Sequence, residues 1–137
     1  MKGKTALTLI EQSIMLLILA FAAAICLKAF VWSDTLSNQN SQRDRALIEI
    51  QSAAEVLKAH QGDLDTAAQT YGGEILSEQW ILHWDADWQR NSQPAAYQLT
   101  TYPLSSQTPY LGCAQLILHQ GDRVITTLQI CWQEENP

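Results

Sequence analysis

The feature that most constrains this chain is a long apolar run with one acid at its mouth. From Ile14 to Leu27 no side chain is polar except the weak thiol of Cys26, and after Lys28 the run resumes as Ala29-Phe30-Val31-Trp32. Ile14 to Trp32 is roughly the length a helix needs to cross a hydrocarbon core of about 30 Å. Lys28 can snorkel to the far interface, where Trp32 serves as an anchor. Lys2 and Lys4 come first, with no acid before Glu11. That basic excess favours a cytoplasmic N-terminus, with the rest of the chain outside. Glu11 is the anomaly. On insertion scales an acid at the centre of a membrane helix costs about 2.5–3.5 kcal/mol, so a charge kept there is a functional hypothesis by default and needs a partner.

Around that acid the sequence reads Thr5-Ala6-Leu7-Thr8-Leu9-Ile10-Glu11-Gln12-Ser13. A small residue is followed by an apolar one, then Thr-Leu-Ile-Glu, then the apolar helix. The pattern resembles the processing site of type IV pilins and the related pseudopilins. The family usually has Gly before the cut and Phe or Met after it; here these positions hold Ala6 and Leu7. The resemblance covers the first quarter of the chain. It implies that a prepilin peptidase removes the basic leader, residues 1–6, by cutting between Ala6 and Leu7. It implies N-methylation of the new terminus at Leu7. It also implies that Glu11 pairs with the N-terminal amine of a neighbouring subunit during assembly. The physics agrees with that role. Cutting at Leu7 creates a cation at the carboxylate's own end of the helix, and pairing across subunits relieves the cost of an unpaired charge in a low-dielectric bundle.

Two other readings compete at this terminus. One is an ordinary signal peptide cut after Ala22-Ala23-Ala24; against it stand Glu11, Gln12 and Ser13 between the basic region and the apolar core. The other is a signal anchor with no filament role, carrying an extracytoplasmic binding domain. A lipoprotein at Cys26 is disfavoured because Ile25 fills the position where a small residue is wanted.

The chain has 137 residues, enough for an anchor and one small domain. Its net charge of −6 gives no general basic field for nucleic acid, so DNA would be met only indirectly, through a filament. Three cysteines are present, Cys26 in the apolar run and Cys113 and Cys131 near the C-terminus. A candidate pair beside an odd cysteine suits an exported protein with one optional disulfide.

Ser33 to Ser41 is polar without Gly or Pro and reads as a weakened helix or a short melted stretch. From Gln42 a helical stripe recurs at Leu47, Ile50, Ala54 and Leu57, widened by Ile48 and Val56. Residues 33–60 are therefore read as an amphipathic continuation of the membrane segment, residues 7–32. Residues 61–137 are read as a globular head. Gln61-Gly62-Asp63 stops the helix, and Leu64 to Tyr71 makes a short one capped by Asp63 or Asp65 and ended by Gly72-Gly73.

In the head, Trp80 to Trp88 alternates, with Trp80, Leu82, Trp84, Ala86 and Trp88 on one face and His83, Asp85 and Asp87 on the other, as a half-buried strand does. Asn91 to Pro94 reads as a turn and Ala96 to Tyr102 as a second strand ended by Pro103. The last two strands form a hairpin whose core face holds Ala114, Leu116, Leu118, Val124, Leu128, Ile130 and Trp132. Opposing Leu116 to Leu128 leaves Gly121-Asp122-Arg123 as the loop and sets Cys113 opposite Cys131 on the outer face. A cross-strand disulfide is then geometrically possible. A register with Gln120-Gly121-Asp122 as the loop would misalign the pair and leave free thiols. The fold expected is α+β: a long N-terminal helix whose outer half packs on an antiparallel sheet of about four strands.

Chemistry-bearing constellations are sparse. His83, Asp85 and Asp87 could offer metal ligands, but no second cluster supports them and a solvated face accounts for them. His60 and His119 are isolated, and Ser33 and Ser37 have no evident base. There is no phosphate loop, Cys-x-x-Cys pair or nucleophile elbow. The tryptophans, at strand spacing, read as core rather than as a sugar platform. No enzyme, metal, cofactor or small-molecule substrate is expected. The partners implied by the resemblance are a prepilin peptidase, copies of the chain and related pilins, and the membrane.

Overall fold

A computed structural model describes residues 2–90 and 95–135; the turn expected at 91–94 lies outside the described residues. The elements are helices α1 (Lys2–Ala59) and α2 (Leu64–Tyr71) and strands β1 (Glu74–Leu76), β2 (Gln79–Trp84), β3 (Tyr97–Leu104), β4 (Leu111–Gln120) and β5 (Arg123–Gln133). The chain divides into two units, Met1–Ser41 and Gln42–Pro137.

The described part of the first unit is helical throughout. The helix begins at Lys2, inside the basic leader, and continues through Ser33 to Ser41 without melting. Lack of Gly and Pro permits this, and the hydroxyl of Thr35 donates to the Val31 carbonyl at 2.9 Å instead of competing for the chain.

The second unit is α+β. Its sheet is antiparallel in the order β1-β2-β3-β4-β5, a meander of five strands rather than about four. The strand not expected, β1, is joined to β2 by Ser77-Glu78, both left-handed at φ 52° and 63°. Such a turn is usually written with Asn or Gly, so its sequence gives no signal.

Residues Gln42–Ala59 cover one face of this sheet. Ala46, Ile50, Ala53, Ala54 and Leu57 are buried against Trp80, Leu82, Trp84, Leu99, Leu116 and Leu118. The stripe is thus rotated from the expected one. Leu47 is half-buried and Ile48 is 53% exposed, while three alanines face the sheet. Small side chains let helix and sheet approach closely, and the bulk is supplied by the sheet. Each fully buried Leu or Ile adds about 1.5–3 kcal/mol.

β2 ends at Trp84 rather than running to Trp88. Asp85 turns the chain: its carboxylate accepts from the backbone N–H of Asp87 (2.9 Å) and Gln89 (2.8 Å). An Asx turn of this kind outcompetes the ladder. Trp88 still packs on the core, but from a left-handed position (φ 60°), with its ring stacked on Tyr97 at 3.9 Å. β3 runs on through Pro103 to Leu104, with Pro103 opposite Ala114.

The hairpin register is Leu116↔Leu128 and Cys113↔Cys131, but a bulge near Leu118/His119 shifts the end so that Gln120 pairs with Arg123. The loop is therefore two residues, Gly121-Asp122, with Gly121 at φ 58°. The extra residue brings Ile125 against the core and leaves Val124 51% exposed, reversing the expectation for Val124.

At the end of the core opposite the hairpin turn, the Trp132 indole lies over two glycines. A Cβ on Gly112 would meet its Nε1, and one on Gly62 its six-membered ring, both well inside van der Waals contact. α2 is fixed by Tyr71, whose hydroxyl donates to Glu49 at 3.3 Å, and by Arg90, which donates to the Tyr71 carbonyl at 2.7 Å and lies 4.0 Å over its ring. Asp63 caps α2, accepting from the N–H groups of Asp65 and Thr66 and the hydroxyl of Thr66. The Thr66 hydroxyl, then its N–H, hold the Asp63 carboxyl below its ordinary value.

Gly112→Ala is expected to cost about 1–3 kcal/mol by overpacking against Trp132, and Leu116→Ala about 2–5 kcal/mol by leaving a cavity; urea unfolding of the full chain measures both. The depressed Asp63 contributes stability above the ordinary carboxylate range and loses it as pH falls through its folded value. Asp63→Asn keeps the cap without the titration, so its thermal stability should fall less steeply from pH 6 to pH 2 than that of the parent.

Candidate functional site

The candidate site lies at the start of α1. On a helix, Lys4, Thr8, Glu11 and Gln12 fall on one face, at steps of four, three and one. Leu7, Leu9, Ile10 and the residues from Ile14 onward surround it with apolar side chains, and Leu7 itself is 72% exposed. The helix is long and apolar enough to cross a membrane: its most apolar 18-residue window has a mean hydropathy of 2.7, and none of that window is buried within the chain. All of this surface must be covered by lipid or by protein.

The polar groups at this end are satisfied unequally. Thr8 donates its hydroxyl to the Lys4 carbonyl at 2.8 Å, and Ser13 donates to the Leu9 carbonyl at 2.8 Å. Folded back in this way, the two hydroxyls add little polarity to the helix surface. Glu11 is different. It is exposed, and it forms no hydrogen bond or ion pair among the described residues. A carboxylate has no donor with which to satisfy a backbone carbonyl, so water, a cation or a set of N–H groups must satisfy it from outside the helix. The Ala6–Leu7 bond expected to be cut lies within the helix, spanned by the Thr8-to-Lys4 bond. Cys26 is a free, exposed thiol on the apolar segment.

Cys113 and Cys131 are joined by a disulfide between β4 and β5, with Cα atoms 4.1 Å apart. Cys113 is buried at 9% exposure and Cys131 is exposed, both on the face of the sheet away from α1. The separation of 18 residues makes the bond worth on the order of 3 kcal/mol by the chain-entropy argument.

The remaining polar candidates are not brought together. His83 lies 3.6 Å from Glu74, while Asp85 is committed to its turn. Among the described residues no three His, Cys, Asp or Glu side chains are grouped to hold a metal. The His60 ring hydrogen-bonds Thr70 at 3.2 Å. A cavity of about 460 Å³ lies beside β1, lined by Tyr71, Gly72, Gly73, Glu74, Leu82, His83 and Arg90. Nothing in the sequence marked it, because Arg90 carries no motif; here its guanidinium serves to hold α2.

No family model matches the chain, and no curated protein or solved structure matches it.

Replacing both Cys113 and Cys131 by Ser should lower stability by on the order of 3 kcal/mol in urea while leaving membrane insertion unchanged. Urea unfolding and alkaline extraction of membranes measure the two effects separately.

Proposed function

We propose that this chain is a pilin-like subunit, processed between Ala6 and Leu7 and assembled into a filament through the helix that begins at Leu7. The observation that carries the proposal is the position of Glu11: one acid without a partner among the described residues, at the mouth of an exposed apolar helix, four residues beyond a small-apolar junction preceded by a basic leader. Three chemical needs meet there. The leader's lysines hold the unprocessed terminus on the cytoplasmic side. A prepilin peptidase would remove them and expose an amine on Leu7. The amine and Glu11 of neighbouring copies then pair in a low-dielectric setting, where an unpaired partner costs most and register is set most sharply. N-methylation of Leu7 would keep the cation while reducing its hydration.

The head in this reading is a stable cap delivered outside the cell, with the disulfide serving as a staple in an oxidising compartment. Its task would be structural, in adhesion, motility, DNA uptake or protein secretion.

Mass spectrometry of the mature protein should show a chain starting at Leu7, with or without a methyl group. An intact Met1 or a start at Ile25 would favour a plain anchor or a cleaved signal peptide. Glu11→Ala should insert in the membrane as the parent does yet yield at least about tenfold less filament, as expected when a buried pair worth several kcal/mol loses one partner. Sheared filament yield, normalised to membrane-inserted protein, is the readout; an undiminished yield would count against the pairing.

A further inference from the structure

At the end of the second unit's core away from the β4–β5 turn lies a cavity of about 180 Å³, where α1, α2, β3, β4 and β5 meet. Leu57, Leu64, Leu104 and Ala114 give it an apolar wall. The Trp132 indole and the half-buried Glu134 complete the lining on the β5 side. Gly112 pairs with Trp132 across the ladder. A Cβ on Gly112 would meet both the indole Nε1 and the Glu134 Oε1, so the N–H and the carboxylate flank one point. Gly112 is not in a left-handed conformation. Its lack of a side chain keeps that point open; it does not serve a turn.

Two residues of this lining carry buried polar atoms with no hydrogen-bond partner among the described residues: the Thr101 hydroxyl and the Trp132 Nε1–H. Thr101 is fully buried. Valine would fill its place without a polar atom. Buried hydroxyl and indole groups are nearly always paired, because an unpaired one has lost its water and gained nothing. That two such atoms fall on one cavity marks the cavity as built for a polar partner.

We infer that this cavity binds a small uncharged alcohol about the size of a benzene ring, with its hydroxyl between Trp132 Nε1 and Glu134. This goes beyond the filament reading and rests on the second unit alone. The chemistry of the flanking pair selects the group. A hydroxyl oxygen accepts from the indole N–H and gives its own proton to the carboxylate. A carboxylate or carbonyl would satisfy the indole but would face Glu134 with no proton to give. An ammonium would satisfy Glu134 and leave the indole unpaired. Glu134 and Glu135 also oppose an anion at this end of the sheet. The wall selects the body. One water occupies about 30 Å³ and cannot cover the leucines, whereas an apolar cavity of about 150 Å³ takes benzene. The Thr101 hydroxyl remains in the wall for a second polar atom, where the alcohol carries one.

The test uses the full chain in lipid nanodiscs and two probes of like size, phenol and toluene, with free concentrations set by equilibrium dialysis. The readout is the indole N–H resonance of Trp132 in 15N NMR. Phenol should move it downfield and saturate at one molecule per chain. Toluene lacks the hydroxyl and should bind at least about tenfold more weakly, as a site built to hydrogen-bond a hydroxyl rejects the analogue without one. Glu134→Ala keeps the backbone N–H that bonds Tyr110 and removes the acceptor. With its disulfide formed and its thermal transition retained, it should lose about tenfold in affinity for phenol and nothing for toluene. Thr101→Val should melt no lower than the parent, since the hydroxyl it removes has no partner in the free chain. Four results overturn the proposal: an indole resonance that phenol does not move (water is then the only occupant), equal affinity for phenol and toluene, full phenol affinity in Glu134→Ala, or a lowered melting temperature in Thr101→Val.

Discussion

A carboxylate beside a hydrocarbon layer must stay hydrated among headgroups or meet a cation. Everything proposed for the first unit depends on that choice at Glu11. Its neighbours offer no relief among the described residues: Thr8 and Ser13 donate to carbonyls one turn back, and Lys4 and Gln12, on the same face, form no bond to it. Among the described residues, therefore, the apolar helix is uncovered and its acid lacks a counter-charge. Lipid can cover the surface. Under the filament reading, only another copy's amine completes the charge.

The second unit solves a different problem, that of making a small domain stable. Three alanines allow Gln42–Ala59 to lie close to the sheet, and the large side chains come from the strands: Trp80 and Trp84, Leu116 and Leu118. Trp132 closes the far end, over Gly62 and Gly112. The Cys113–Cys131 bond ties the last hairpin on the opposite face. Covering one face of the sheet with a helix leaves the edges to be managed separately. β1 is managed by shortness and acid, whereas β5 is long and uncharged from Val124 to Trp132.

Much of this architecture can be read from residue spacing. Even-numbered apolar residues on both final strands leave two registers open, and the structure has the one that opposes Leu116 to Leu128 and Cys113 to Cys131. The apolar run and its lysines indicate the membrane-competent helix, and Asp63 with Gly72 brackets α2. The misses have physical causes. The Ser77-Glu78 turn adopts left-handed angles without glycine, so β1 gave no sign of itself. The bulge that exchanges Ile125 for Val124 adds a residue that alternation cannot foresee. Asp85 ends β2 through side-chain bonds, which a pattern of alternating tryptophans conceals. The helix stripe was placed on the larger side chains, whereas close packing favoured Ala46 and Ala53. At the candidate site the sequence names Ala6, Leu7 and Glu11, and the structure adds that Glu11 has no intrachain partner among the described residues.

The pairing proposed for Glu11 can be observed directly. Filaments would be assembled from an equal mixture of two preparations, one carrying 15N at the Leu7 amine and the other 13C at glutamate side-chain carboxyls. Solid-state NMR then reports through-space transfer only between different copies. The account predicts a cross-peak between the Leu7 amine nitrogen and the Glu11 carboxyl carbon, at a separation of about 4 Å, the range of a salt bridge. Well-ordered filaments that show no such cross-peak would contradict it.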